Sequence, residues 1–238
     1  MNKHLKRLIT VVLIILIIGI FVIKINNPNR ERYPVRGVDV SSYQGDIDWE
    51  LLASQDIQFA FIKATEGSSY VDPYFEKNYS SAIKTNLRIG AYHFFSFESS
   101  GKTQAENFCE KVSYTDSMLP PVLDVEYYGS YSSLSGAELE NVRSELRICI
   151  DEIEKHFGIT PVIYATQKSK NEIIGDEFSD CDLWIRSVYL RVSDNMNWSF
   201  WQYSDRQKLD GYNGEEKYID MNVFNGNLEE FRQYGAEK

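Results

Sequence analysis

Cysteine and histidine are scarce: three of each occur in 238 residues. Cys109, Cys149 and Cys181 are widely spaced, with no C-x-x-C pair, which excludes a disulfide framework and a zinc ribbon. Three buried thiols are the expected arrangement, with one bridge plus a free thiol as the alternative. His93 has no partner at H-x-x-x-H or C-x-x-H spacing, so a hydrogen-bonded histidine is expected there and no metal site. A glycine-rich phosphate loop and a nucleophile elbow are both missing, and no cofactor is expected. Internal repeats and low-complexity tracts are absent as well.

Positive charge is short too. The first 25 residues hold Lys3, Lys6, Arg7 and Lys24 and no acid. Setting those four aside leaves 21 basic against 35 acidic side chains, a net charge of −14. Such a surface repels phosphate backbones, so no nucleic-acid partner is expected. It would be repelled by anionic wall polymers as well, and simple solubility accounts for it equally well.

What is present is a globular composition, 43% hydrophobic and 14% aromatic, with 16 Tyr, 13 Phe and 4 Trp. The length suffices for one barrel-sized domain with its own core. One long apolar run stands apart, LITVVLIILIIGIFVIKI at residues 8–25. As a helix it would span roughly 27 Å, close to the roughly 30 Å of bilayer hydrocarbon. No small-x-small cleavage site follows it, so an uncleaved signal-anchor is expected over a cleaved signal peptide. Basic residues flank both ends, so charge does not set the orientation.

The expected organisation is therefore a transmembrane segment at 1–25, a linker at 26–34, a barrel domain at 35–232 and a tail at 233–238. Strand patterns fall at residues 35–41, 58–65, 88–95, 121–126, 161–165, 182–188, 198–204 and roughly 217–222, with helical pattern in the first five gaps. The clearest helix is 136–157, with Leu139, Val142, Leu146, Cys149, Ile153 and Phe157 three and four apart. Ser135 and Glu138 fit a capping box before it, and Gly158 with Pro161 ends it. Five βα units followed by three strands predict an α/β fold, an eight-stranded modified TIM barrel with an incomplete helical ring.

In such barrels the site lies at the C-terminal strand ends. Asp39 sits near the end of the first strand, Asp124 and Glu126 at the end of the fourth, and Asp220 at the end of the eighth. Residues i and i+2 of a strand share a face, so Asp124 and Glu126 project together. Two adjacent carboxyl groups cannot both ionise cheaply, which leaves a protonated acid near neutral pH. Glycoside cleavage needs such an acid and a second carboxylate. A second D-x-E, Asp48-Trp49-Glu50, opens a helix instead, with Asp48 as its cap and Glu50 in the first turn.

Several stretches together resemble the lysozymes of glycoside hydrolase family 25. In order they are RGVDVSSYQGDIDW (36–49), FAFIKATEG (59–67), GAYHFF (90–95), PPVLDVE (120–126), PVIYA (161–165), WQYS (201–204) and YIDMNVFNG (218–226). The resemblance implies a (β/α)5(β)3 barrel. It implies an N-acetylmuramidase that cuts the β-1,4 bond between N-acetylmuramic acid and N-acetylglucosamine in peptidoglycan. By position, Glu126 resembles the general acid and Asp124 its partner carboxylate, with Asp39 and Asp220 the flanking acids. One departure is LWIRSVYL (183–190), where the family usually has a stretch like LWIAxY. Arg186 stands for a small residue and the tyrosine is displaced to Tyr189 or absent in role.

Tyr92, Tyr164, Trp184 and Trp201 are candidates for sugar stacking, with core packing expected for at least two of them. Lys63 and Glu66 either pair structurally or line the cleft. The expected partners are peptidoglycan strands and the membrane, and the chain is expected to be a monomer. The expected location is the cell membrane, single-pass, with the barrel outside and facing the wall. The competing functions are a non-catalytic glycan-binding barrel, which four retained acids argue against, and a chitinase, whose D-x-x-D-x-D-x-E run is absent.

Overall fold

The computed structural model describes residues 5, 7, 9–12, 27–115 and 117–235. Most of the expected anchor at 8–25 lies outside these residues. Among the described residues no helix is long and apolar enough to cross a membrane.

Nine strands follow in chain order among the described residues: β1 (Arg36–Val40), β2 (Phe59–Glu66), β3 (Tyr70–Val71), β4 (Arg88–Phe94), β5 (Val122–Val125), β6 (Val162–Thr166), β7 (Leu183–Arg186), β8 (Phe200–Gln207) and β9 (Ile219–Phe224). They pair in the order β1-β9-β8-β7-β6-β5-β4-β2, and β1 pairs again with β2, which closes an eight-stranded barrel. β3 is a short antiparallel flap on β2 that the sequence pattern did not announce. The eight barrel strands lie where the alternation of apolar residues puts them, within a few residues at each end.

The helices that cross between strands are α1 (Trp49–Ala53), α2 (Phe75–Ala82), α3 (Gly101–Lys111) and α4 (Gly136–Phe157). Their caps follow from side-chain chemistry. Asp48 accepts from the Leu51 amide, Ser135 and Glu138 form the reciprocal box at the start of α4, and Gly158 ends α4 at φ +75°. The fifth gap differs from expectation. Its helix is one turn, Gln167–Ser169, that widens into a π turn, Lys170–Ile174.

The eighth barrel strand also runs opposite to expectation. With no helix to carry the chain back, residues 208–218 return it directly, so β9 is antiparallel to both β8 and β1. Asp220 therefore reaches the mouth of the barrel from the beginning of its strand, not from the end.

Alternation divides the strand side chains into two cores. The outer one, between strands and helices, includes Val38, Val40, Ile62, Leu123, Val125 and Ile185. The inner one fills the lower barrel with Phe59, Phe61, Val122, Val162, Trp184, Phe200 and Phe224. Phe61 stacks on Trp184 with ring centroids 4.6 Å apart. Burying rings of this size stabilises the fold by ~1.5–3 kcal/mol each. Space for them comes from Gly37 and Gly90: a Cβ there would lie 2.4 Å from the Phe59 ring and 2.5 Å from the Phe61 ring, respectively.

A short terminal helix, α5 (Leu228–Gln233), was not evident in the sequence. It sets Phe231 against Phe59 and Phe224, and then Tyr234 against Phe200 and Phe224, and plugs the barrel floor. Tyr33, upstream of β1, packs on Trp198 and Trp201. Of the thiols only Cys149 is fully buried; Cys109 and Cys181 are half-buried at the edge of the outer core, and all three are free.

Candidate active site

Above the aromatic layer the inward positions turn polar, and the barrel opens into a cavity of about 750 Å³. Asp39, Lys63, Glu66, Tyr92, Asp124, Glu126, Tyr164, Trp184, Gln202, Asp205 and Asp220 all line it. β5 delivers the central pair. Asp124 occupies its last inward position and is buried, whereas Glu126 follows the strand on the same face and is half-buried. Val125 between them points into the outer core, as alternation requires.

Burial is the first cause of the raised pKa of both groups, since each charged form loses its water. Glu126 raises Asp124 further, Lys63 opposes the rise at both, and Arg186 opposes it at Glu126. Both shifts favour a proton held on the pair. Asp124 Oδ1 is buried and has no hydrogen-bond partner in the protein.

Opposite this pair, Asp39 and Asp220 are direct cross-strand partners on β1 and β9. Burial raises both pKa values, and the carboxyl groups hydrogen-bond to each other. Two amides that sequence reasoning missed hold them: Asn222 Nδ2 lies 2.7 Å from Asp39 Oδ1, and Gln202 Nε2 lies 3.0 Å from both Asp39 Oδ1 and Asp220 Oδ2. Their signal was legible, since Phe200 and Gln202, and likewise Asp220 and Asn222, stand two apart on the inward face.

The two alternatives for Lys63 and Glu66 do not exclude each other: the side chains bond at 2.7 Å and both line the cavity. Tyr92, Tyr164 and Trp184 line it as well, the last two as its largely buried floor. Trp201 does not. Its register partners are Ile185 and Val223, all three side chains lie in the outer core, and its indole N–H donates to the Ser187 carbonyl. The parity of β8 decides this, because Gln202 faces in and so its neighbour must face out.

His93 is equally settled. It is buried on the outer side of β4 with Nδ1 2.7 Å from Thr65 Oγ1 and Nε2 3.2 Å from Gln104 Oε1. Burial pushes its pKa down to about 4. Among the described residues no group of His, Cys, Asp and Glu side chains could hold a metal ion.

The comparison with known proteins agrees with this arrangement. Residues 38–212 match the sequence profile of the glycosyl hydrolases family 25. The chain belongs to that family. A family 25 glycosyl hydrolase from Bacillus anthracis superposes with a TM-score of 0.80 at 52% identity, over 87% of this chain and 96% of the other. A bacterial lysozyme from Streptomyces coelicolor superposes at 0.75 with 31% identity, over 85% and 97%. Lysozyme M1 of Streptomyces globisporus is 33% identical over 203 residues, 81% of this chain and 68% of that protein.

Within this family 25 barrel the departure at 183–190 has a physical account. Arg186 reaches from β7 to Asp205 on β8, with Nη2 2.8 Å from Oδ2, and Asp205 in turn lines the cleft. Tyr189 is 63% exposed and does not line the cavity, so it does not replace the displaced tyrosine.

Proposed function

We propose that this glycoside hydrolase is a muramidase that cuts the β-1,4 bond between N-acetylmuramic acid and N-acetylglucosamine in peptidoglycan. The observation that carries the reading is the Asp124–Glu126 pair on one face at the end of β5, inside a cleft of glycan size. The family relatives named lysozymes support it.

Glu126 is the general acid and protonates the leaving glycosidic oxygen. It is the more accessible of the two carboxyl groups, and burial raises its pKa, so it holds its proton to higher pH than an exposed glutamate does. Asp124 is the partner carboxylate. It is the more deeply buried of the two, and burial and the neighbouring Glu126 both raise its pKa. An N–H of the substrate's 2-acetamido group donating to the unpartnered Oδ1 would favour its charged form. Substrate binding would thereby move the shared proton toward Glu126, where the leaving group needs it. The negative Asp124 then faces the oxocarbenium-like centre. Tyr92, Tyr164, Trp184 and Glu66 are the sugar-contacting residues of this reading.

The apolar run at 8–25 is proposed as a single-pass anchor with the barrel outside, acting on wall close to the membrane as a monomer. Its length and the absence of a cleavage site support this. Protease added to intact, wall-stripped cells should degrade the barrel. A mature N-terminus between Lys24 and Pro34, found in the medium, would refute the anchor.

The enzymatic reading is tested by digesting purified peptidoglycan and identifying the new reducing ends by mass spectrometry. Reducing N-acetylmuramic acid is expected. Glycan binding without new reducing ends would make the chain a non-catalytic barrel.

A further inference from the structure

Asp39 is held by amides that are themselves aimed. Its carboxylate receives Asn222 Nδ2 at 2.7 Å on Oδ1, and Gln202 Nε2 at 3.0 Å and 3.1 Å on its two oxygens. An amide can turn over and present oxygen instead of NH2, but neither of these is free to do so. Asn222 Oδ1 lies 2.8 Å from Trp184 Nε1, and an indole N–H donates only. The oxygen of Asn222 must face the indole, which turns its NH2 toward Asp39. Gln202 Oε1 accepts from the Tyr164 hydroxyl at 3.0 Å. Turned over, it would press its oxygen against two carboxyl groups, Asp39 and Asp220.

All four aiming groups are buried: Asn222 fully, Gln202 and Trp184 at 2% exposure, Tyr164 at 6%. In such surroundings an unmade hydrogen bond is costly, so the orientation is strongly imposed. The consequence for the two acids is unequal. Burial works against the charged form of both, but at Asp39 two amide donors oppose it. Asp220 shares only the Gln202 donor and faces the charges of Asp39 and Asp205.

We propose that Gln202 and Asn222, aimed by Tyr164 and Trp184, are positioning residues that hold Asp39 as an ionised acceptor and leave the proton of the Asp39–Asp220 pair on Asp220. The inference rests on the muramidase reading and assigns this amide network a part in it. Asp39 is then a fixed negative charge across the cleft from Asp124 and Glu126, and that charge helps the pair keep its proton.

Other charged groups act on the same acids. They are Arg186 on β7, Asp205 on β8, and Lys63 and Glu66 on β2, with the phenols Tyr92 and Tyr164 beside them. The amide donors to Asp39 are Asn222 and Gln202, and the Asn222 NH2 bonds Asp39, so loss of that amide acts first on Asp39.

The test is the pH profile of peptidoglycan hydrolysis by the full-length protein and its Asn222→Ala, Asp39→Asn and Asn222→Ala/Asp39→Asn variants. Without the Asn222 donor, Asp39 takes up a proton more readily, its charge is lost, and Glu126 becomes a stronger acid. The alkaline limb of kcat/KM should move to lower pH by at least about half a unit. Asp39→Asn should move it the same way, and the double variant should move it no further than Asp39→Asn alone. Trp184→Phe, which removes the aiming N–H together with part of a buried ring, should give a smaller shift of the same sign and serves if Asn222→Ala does not fold. A merely structural role would lower the amplitude and leave the limb in place. An unmoved limb in folded Asn222→Ala or Trp184→Phe, or fully additive shifts, would overturn the proposal. Absence of hydrolysis by the unsubstituted protein would instead overturn the muramidase reading.

Discussion

Lys63 Nζ and Glu66 Oε2 meet at 2.7 Å inside the cleft although they stand three residues apart on one strand. Strict alternation would put them on opposite faces. The pairing of β2 with β4 slips between Lys63 and Thr65, so that Lys63 lies opposite Tyr92 and Glu66 opposite Phe94. This bulge turns Glu66 into the cavity while Thr65 stays outside, bonded to His93. β8 repeats the device. Its register with β9 slips between Gln202 and Ser204, which brings Asp205 to the cavity on the same side as Gln202. The Lys63–Glu66 pair of the cleft wall, and the place of Asp205 beside Arg186, thus depend on bulges.

The general-acid role gives the sharpest expectation. Glu126→Gln keeps the shape and hydrogen-bonding capacity but removes the transferable proton. Turnover should fall by about 10²–10⁴-fold with a smaller change in affinity. Glu50→Gln, in the helix-opening D-x-E, should leave turnover nearly intact. Near-normal kcat in Glu126→Gln, or equal damage from Glu50→Gln, would remove Glu126 from the role.

Arg186 opposes the upward shift of Glu126 with its positive charge. In Arg186→Gln that opposition is gone, so the acid keeps its proton to higher pH. The alkaline limb of the pH–rate profile should move up, opposite to the shift expected for Asn222→Ala. A limb that stays put would mean Asp205 alone sets the local field.

The crowded acids also govern stability. Asp39, Asp124, Glu126 and Asp220 all have raised folded pKa values. Their contribution is fully present below the unfolded carboxyl value of about 4 and is lost as pH rises through the folded values. His93, lowered to about 4, has the opposite sign and loses its contribution as pH falls below about 6.5. Above neutral pH His93 is silent, so Tm should decline between pH 7 and pH 9. Asp124→Asn should flatten that decline and leave Tm at pH 7 unchanged or higher. A loss of several degrees at pH 7 would assign Asp124 a structural role with Lys63.

The inner aromatic layer predicts a steric limit. A methyl at Gly37 would enter the Phe59 ring, which is walled in by Phe61, Phe200 and Phe231. Gly37→Ala should therefore cost about 1–3 kcal/mol in unfolding free energy, measurable by denaturant titration. The same change at Gly136, where a Cβ meets nothing within 4 Å, should be neutral or slightly stabilising.

The sequence by itself determined the order of strands and the main helices, because period-2 and period-3.6 burial are local properties of neighbouring residues. It determined the sharing of one face by Asp124 and Glu126 and the caps of α1 and α4, for the same reason. It also carried the family, through seven short stretches in a defined order. The tertiary structure decided what depends on how strands meet. The antiparallel course of β9 brought Asp220 to the mouth from its strand's beginning. Closure of the barrel brought Gln202 of β8 and Asn222 of β9 onto Asp39 of β1. The bulges in β2 and β8 moved Glu66 and Asp205 into the cleft. A bulge is a mismatch between two strands, so neither strand's own alternation records it, and the charges facing the substrate were fixed only when the barrel closed.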